Sequence, residues 1–185
     1  MRRIISVLAV VLFAATALLP AFANHGGAQS VNRESAGWPV RSFALVDHEE
    51  QPFTELRLAG RWTFVLFGDT GCGARCDAPL AALAAKNRRI ARTDAIRTTQ
   101  VLFVSLDPER DTPELLRRHV ALFDARFVAA TGPRGSLRRL MDELDVSGRG
   151  ALVLIGPDAV LRSELLPPYD PLLLTAEYLR ARSRR

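Results

Sequence analysis

Hydrophobic positions along the chain fall into short continuous runs separated by stretches with helical spacing. Residues 62–67 read Trp-Thr-Phe-Val-Leu-Phe, and 100–106 and 151–155 are apolar runs of similar length. Runs without polar alternation predict strands buried on both faces. Between them, Leu80, Leu83, Ala84 and Ile90 recur at the helical period, as do Leu115, Leu116, Val120 and Phe123, and then Leu137, Leu140, Met141 and Leu144. Each set predicts an amphipathic helix. Asp77 is the expected N-cap of the first helix, with Pro79 in its opening turn. Thr112 followed by Pro113 is the expected cap and first residue of the second. Residues 43–46 and 53–56, joined by a polar turn at 48–51, predict a hairpin before the first buried run. Residues 127–129 predict a short strand. Residues 160–165 return from the turn Gly156-Pro157-Asp158 as a hairpin partner for 151–155, and 172–182 predict a closing helix.

The predicted order is hairpin, β, α, β, α, short β, α, β, β, α. Strands alternating with helices imply parallel pairing in the middle of a sheet, and the closing hairpin adds an antiparallel edge. The only two cysteines of the chain, Cys72 and Cys76, lie where the first buried run passes through a glycine-bearing loop into the first helix. A helix N-terminus carries partial positive charge and unpaired N–H groups, which favour a thiolate. The expected fold is therefore α/β and thioredoxin-like, a central mixed sheet flanked by helices with an N-terminal hairpin.

The start of the chain follows a different pattern. Arg2 and Arg3 precede an apolar stretch at 4–19, and Ala21-Phe22-Ala23 gives a small-residue cleavage signal before Asn24. That is the form of a secretory signal peptide, and the stretch is shorter than the ~20 residues of a spanning helix. Residues 1–23 are thus expected to be a signal peptide, 24–40 a flexible linker rich in glycine and serine, and 41–185 the domain. A periplasmic or extracytoplasmic location follows, where disulfides persist. Membrane association would come only through a partner or an uncleaved signal. The net charge is +5, and Lys86 is the sole lysine. The arginines are scattered over predicted helices and the tail without interleaved aromatics, so no nucleic-acid surface is expected.

Cys72 and Cys76 are the candidate reactive residues. A disulfide closing so short a loop constrains the unfolded chain little. A thiol pair beside Arg75 at a helix start instead suits thiol–disulfide exchange, which needs an accessible thiolate and a resolving thiol. Asp69 and Asp77 oppose the arginine, so no strong thiolate bias is inferred. Asp107, at the end of the second buried run, sits where ligands of α/β sheets gather. Arg110, Asp111 and Glu114 are expected to set the following loop and helix start. A structural disulfide in a redox-inert binding module is the alternative.

Three segments resemble the Sco/SenC family. Phe67-Gly68-x-Thr70-x-Cys72-x-x-x-Cys76 resembles its CxxxC segment, 104–114 (Val-Ser-Leu-Asp-Pro-Glu-Arg-Asp-Thr-Pro-Glu) its second signature, and Leu154-Ile155-Gly156-Pro157-Asp158 its closing strand and turn. The resemblance implies a thioredoxin-like fold and a role in assembling the copper centre of cytochrome c oxidase, with that enzyme's copper-bearing subunit or another periplasmic thiol or copper protein as partner. It implies that Cys72 and Cys76 hold copper. The family's third ligand is a histidine, and counting back from Pro157 puts that position at Gly148. The family's aromatic position after the motif glycine is Asp69. Two thiolates suit Cu(I), whereas Cu(II) favours added nitrogen donors. Of the three histidines, His48 falls in the predicted hairpin turn, His119 within the second helix and His25 in the expected linker. The cis-proline usual in thioredoxin-type exchangers is absent from 147–150, and no peroxidatic motif accompanies the cysteines. The implied function is that of an exported thiol protein acting through thiol–disulfide exchange, Cu(I) handling or both; a general periplasmic thiol–disulfide oxidoreductase is the runner-up.

Overall fold

The computed structural model describes residues 33, 34, 37 and 39–184. The expected signal segment and His25 lie outside the described residues. Within the expected linker, β1 (Arg33–Glu34) pairs antiparallel with β8 (Leu161–Leu165), and Pro39 bridges Val160. No helix among the described residues is long and apolar enough to cross a membrane.

The hairpin is present as β2 (Ala44–Asp47) and β3 (Pro52–Thr54). The three buried runs are β4 (Trp62–Gly68), β5 (Thr99–Ser105) and β7 (Leu152–Ile155), and the short strand is β6 (Val128–Thr131). The sheet order is β1-β8-β7-β4-β5-β6-β2-β3. The β4–β5 and β5–β6 pairs are parallel, while β7 runs antiparallel to both β4 and β8. Every residue of β4 is buried, because the pleat sends alternate side chains into two separate cores. Trp62, Phe64 and Leu66 enter one, with Leu80, Leu83, Leu116 and Tyr178. Val65 and Phe67 enter the other, with Phe53, Leu137 and Leu140. Thus α1 (Ala74–Ile90), α2 (Pro113–Ala121) and α4 (Pro171–Ser183) cover one face, and α3 (Arg134–Glu143) covers the opposite face. The thioredoxin-like, mixed-sheet expectation matches this architecture.

Two local expectations need correction. The first helix begins at Ala74, three residues before the predicted cap, because the Gly73 carbonyl already accepts from the N–H groups of both Cys76 and Asp77 (2.9 Å each). Asp77 is therefore inside α1, and Pro79 lies beyond its first turn. The cap of α2 is as predicted: Thr112 accepts from the Leu115 N–H (3.2 Å), with Pro113 as the first helical residue. On α1, the single lysine is fully buried. The Lys86 ammonium lies 4.2 Å from the Phe64 ring centroid and 4.9 Å from that of Tyr178, and burial pushes its pKa down to about 7.

Candidate functional site

The site grows from the C-terminal end of β4. Gly68 closes the strand, pairs with Ser105 and accepts the Leu106 N–H (2.7 Å). A Cβ at Gly68 would stand 2.3 Å from Cys76 Sγ, so only glycine leaves room for the sulfur there. The chain then turns through Asp69, whose carbonyl accepts the Cys72 N–H (3.1 Å) and whose Oδ1 accepts the Gly71 N–H (2.9 Å). Cys76 follows in the first turn of α1. The cysteines form a disulfide with a Cα–Cα distance of 5.7 Å, within the usual range for the bridge. Cys76 is fully buried and Cys72 half-buried, so Cys72 is the more exposed residue of the pair.

Asp111 locks this turn to the neighbouring strand end. Its side chain is fully buried and accepts from the Thr70 N–H (2.9 Å), Thr70 Oγ1 (2.7 Å), Ser105 Oγ (2.6 Å) and Arg110 Nε (3.3 Å). Burial alone would raise its pKa; the bonds from Ser105, Thr70 and Arg110 outweigh that and hold it below the ordinary carboxylate value. Arg110 also pairs with Asp69 and, at 3.6 Å, with Asp107. Asp107, at the strand end where ligands of α/β sheets gather, thus meets the cysteine turn through Arg110. Glu114 faces outward and pairs with Arg117 and Arg118 along α2.

The opposite wall is the loop 146–150, where sequence puts Gly148 at the third-ligand position. Gly148 has φ +88, and a Cβ there would meet nothing within 4 Å. Arg149, the next residue, forms an ion pair with Asp69 Oδ2 without an aligned hydrogen bond. Asp69 is 3% exposed, so one buried carboxylate holds guanidinium groups from both walls. Gly150 donates to the Phe67 carbonyl (2.7 Å) and its own carbonyl accepts from Tyr169 Oη (2.8 Å). Neither the Asp69–Arg149 pairing nor the Tyr169 contact was legible from sequence. The one local signal was a carboxylate, Asp69, at the position where the family resemblance places an aromatic.

The remaining candidates lie elsewhere. His48 accepts the Ala129 N–H on Nδ1 (2.9 Å), which pins the hairpin turn to β6. His119 packs against Phe103 and Phe123, with Nε2 4.0 Å from Asp77 and without a hydrogen bond. Among the described residues no three His, Cys, Asp or Glu side chains gather as a metal site. Among the described residues, the soft donors at the cysteine loop are Cys72 and Cys76.

The comparisons with known proteins decide the kinship. The family model described as SCO1/SenC matches residues 33–151, more than half of the chain. The chain belongs to the SCO1/SenC family. Within it, a putative copper-binding protein of Stutzerimonas stutzeri is 31% identical over 146 residues, covering 70% of each chain. The mitochondrial SCO1 homolog 1 of Arabidopsis thaliana is 33% identical over 103 residues, which are 56% of this chain and 30% of that longer protein. The copper-bound crystal structure of Arabidopsis thaliana ScoI superposes with a TM-score of 0.72 at 22% identity, covering 80% of this chain and 100% of that one. This likeness carries the fold that SCO1/SenC members share.

Proposed function

We propose that this SCO1/SenC member is an exported thiol protein that handles Cu(I) and exchanges disulfides through Cys72 and Cys76 during assembly of the copper centre of cytochrome c oxidase. The observation that carries the reading is the disulfide itself, with Cys72 half-buried and Cys76 enclosed in the first turn of α1. In exchange, a partner thiolate attacks Cys72 Sγ and forms a mixed disulfide. The Cys72–Cys76 bond breaks, and its electron pair leaves on Cys76. The partial positive charge of the helix start stabilises that thiolate. A second partner thiol then resolves the mixed disulfide, its proton passing to solvent, and Cys72 departs reduced. The two electrons come from the partner's thiols.

The dithiol form offers two soft donors, which fit Cu(I) as cargo and leave Cu(II) short of nitrogen. Support for copper as that cargo comes from the copper-binding description of the Stutzerimonas stutzeri relative and from the copper-bound ScoI structure. Support for export comes from the signal-like residues 1–23 and from a cysteine pair at bridging distance, whose disulfide would persist in an extracytoplasmic compartment. The partner would be the copper-bearing oxidase subunit.

Mass-shift alkylation before and after reductant tests the thiol half. Both cysteines are expected to be blocked as isolated, to become labelled after reduction and to re-form the bridge on oxidation. Thiols that stay unreactive in the folded reduced protein would leave only a structural role.

A further inference from the structure

A hollow of about 630 Å³ lies between the first turns of α1, the loop 147–151 and the end of β8 with the stretch that follows it. Ala78, Pro79, Ala151, Leu165, Leu166 and Pro168 give it an apolar surface. Its mouth carries two guanidinium groups. Arg75 is exposed and has no ion pair or hydrogen bond among the described residues. Its stem lies across Gly150, where a Cβ would stand 2.7 Å from Arg75 Cγ; the glycine, at φ +90, makes that seat possible. Arg149 is half exposed and bound to Asp69, but Asp69 keeps Arg110 if Arg149 turns away. Glu164 is the one carboxylate that lines the hollow among the described residues, and its charge adds to burial in raising the Tyr169 pKa.

We propose that this hollow binds an extended segment of a partner polypeptide, apolar at its centre and carrying a carboxylate where it passes Arg75 and Arg149. Three features favour a peptide over a small anion. The volume is that of a ligand-sized cleft and not of a single ion. The surface between the two arginines and Tyr169 is apolar, and so rewards side chains rather than charge. Pro79 has no N–H, so the Arg75 carbonyl lacks its i+4 helical donor. A backbone N–H of an extended segment can supply one. Ala74 and Arg75, which line the hollow, lie two and three residues after Cys72, so a segment seated here runs along the helix start that carries the cysteine loop. The proposal rests on the reading of Cys72 as the residue that meets a partner, and it names the chemistry by which that partner is held.

The test uses the oxidised, metal-free protein, so that it does not depend on copper binding or on exchange. Three capped synthetic peptides are titrated, identical stretches of leucine and serine with a central aspartate, asparagine or lysine, and amide shifts are followed by NMR. The aspartate peptide is expected to saturate, with shifts confined to Ala78, Ala151, Leu166 and their neighbours. The asparagine peptide is expected to bind about tenfold more weakly, the loss typical of one charge-assisted contact. Arg75→Glu should reverse the order in favour of lysine, and Ala78→Phe should abolish binding by filling the hollow. Arg117→Glu, on the far side of the cysteine loop, should change nothing. Equal affinity for the three peptides, shifts elsewhere on the protein, or no saturation by any of them would overturn the proposal. Since position 75 is exposed, its reversal remains readable should Ala78→Phe misfold. A reduced protein that fails to take Cu(I) would count against the function proposed above and leave these titrations as they stand.

Discussion

On one side of the cysteine pair, Asp111 is fully buried and accepts hydrogen bonds from Thr70, Ser105 and Arg110, which tie the cysteine turn to the β5–α2 junction. On the other side, the loop 146–150 is tied by Gly150 to Phe67 and Tyr169, and by a single ion pair from Arg149 to Asp69. The first wall is built from residues of the two segments, 67–76 and 104–114, that resemble the SCO1/SenC signatures. The second wall has glycine where the family resemblance places an imidazole, and an arginine directly after it. In this chain the first wall is built from buried neutral and charged hydrogen bonds, and the second meets the cysteine turn through an ion pair between half-exposed Arg149 and buried Asp69.

Unequal responses to substitution follow from that difference. The largest is expected from Asp111→Ala, which strips the shared acceptor from Thr70, Ser105 and Arg110. Loss of one member of a buried charged network costs about 3 kcal/mol or more, read as a lower urea midpoint of the oxidised protein. The same carboxylate gives a pH signature. Its folded pKa is depressed, so its stabilisation is present above the ordinary carboxylate pKa near 4 and is lost as pH falls through the folded value. Asp111→Asn should flatten that acid limb. An acid limb unchanged by Asp111→Asn would mean that this wall does not dominate the site.

Gly150→Ala should come next. The added methyl meets the Arg75 stem, and φ +90 is poorly tolerated by an L residue, so about 1–3 kcal/mol is expected. Paired with Gly148→Ala, which carries the same backbone cost but opens into space, it isolates the packing part of the penalty. Equal losses at the two positions would show that Arg75 moves aside freely. The smallest effect belongs to Arg149→Ala. Asp69 keeps Arg110, and a half-exposed pair contributes about 0–1 kcal/mol. A loss beyond that range in thermal unfolding would place Arg149 with the first wall rather than the second.

The legibility of the molecule from sequence divides along the same line. The strands at 62–67, 100–106 and 151–155 were visible because both faces are buried and the apolar runs are unbroken. The cap at Thr112 was visible because its chemistry is local. The start of α1 was misplaced because a backbone carbonyl, that of Gly73, accepts where a side-chain cap was expected. The role of Asp111 was anticipated only as loop setting, since its bonding partner Thr70 is forty-one residues away. The pairing of Asp69 with Arg149 spans eighty residues, and one sequence holds no signal that joins them. The pattern did show that position 148 lacks an imidazole, but only the fold places an arginine from the same loop against the cysteine turn.

The central claim is that two thiolates, without an imidazole from the 146–150 loop, define what this protein binds. Copper stoichiometry on the fully reduced protein tests it most directly, with both oxidation states and with Cys72→Ser as the control. One Cu(I) per chain, lost in Cys72→Ser, is expected, with Cu(II) bound weakly or not at all through that pair. Gly148→His, which has space for the ring but must adopt φ +88, should strengthen Cu(II) binding and add a thiolate charge-transfer absorption. Tight Cu(II) binding by the unaltered protein that survives His25→Ala, or no binding of either ion, would contradict the account.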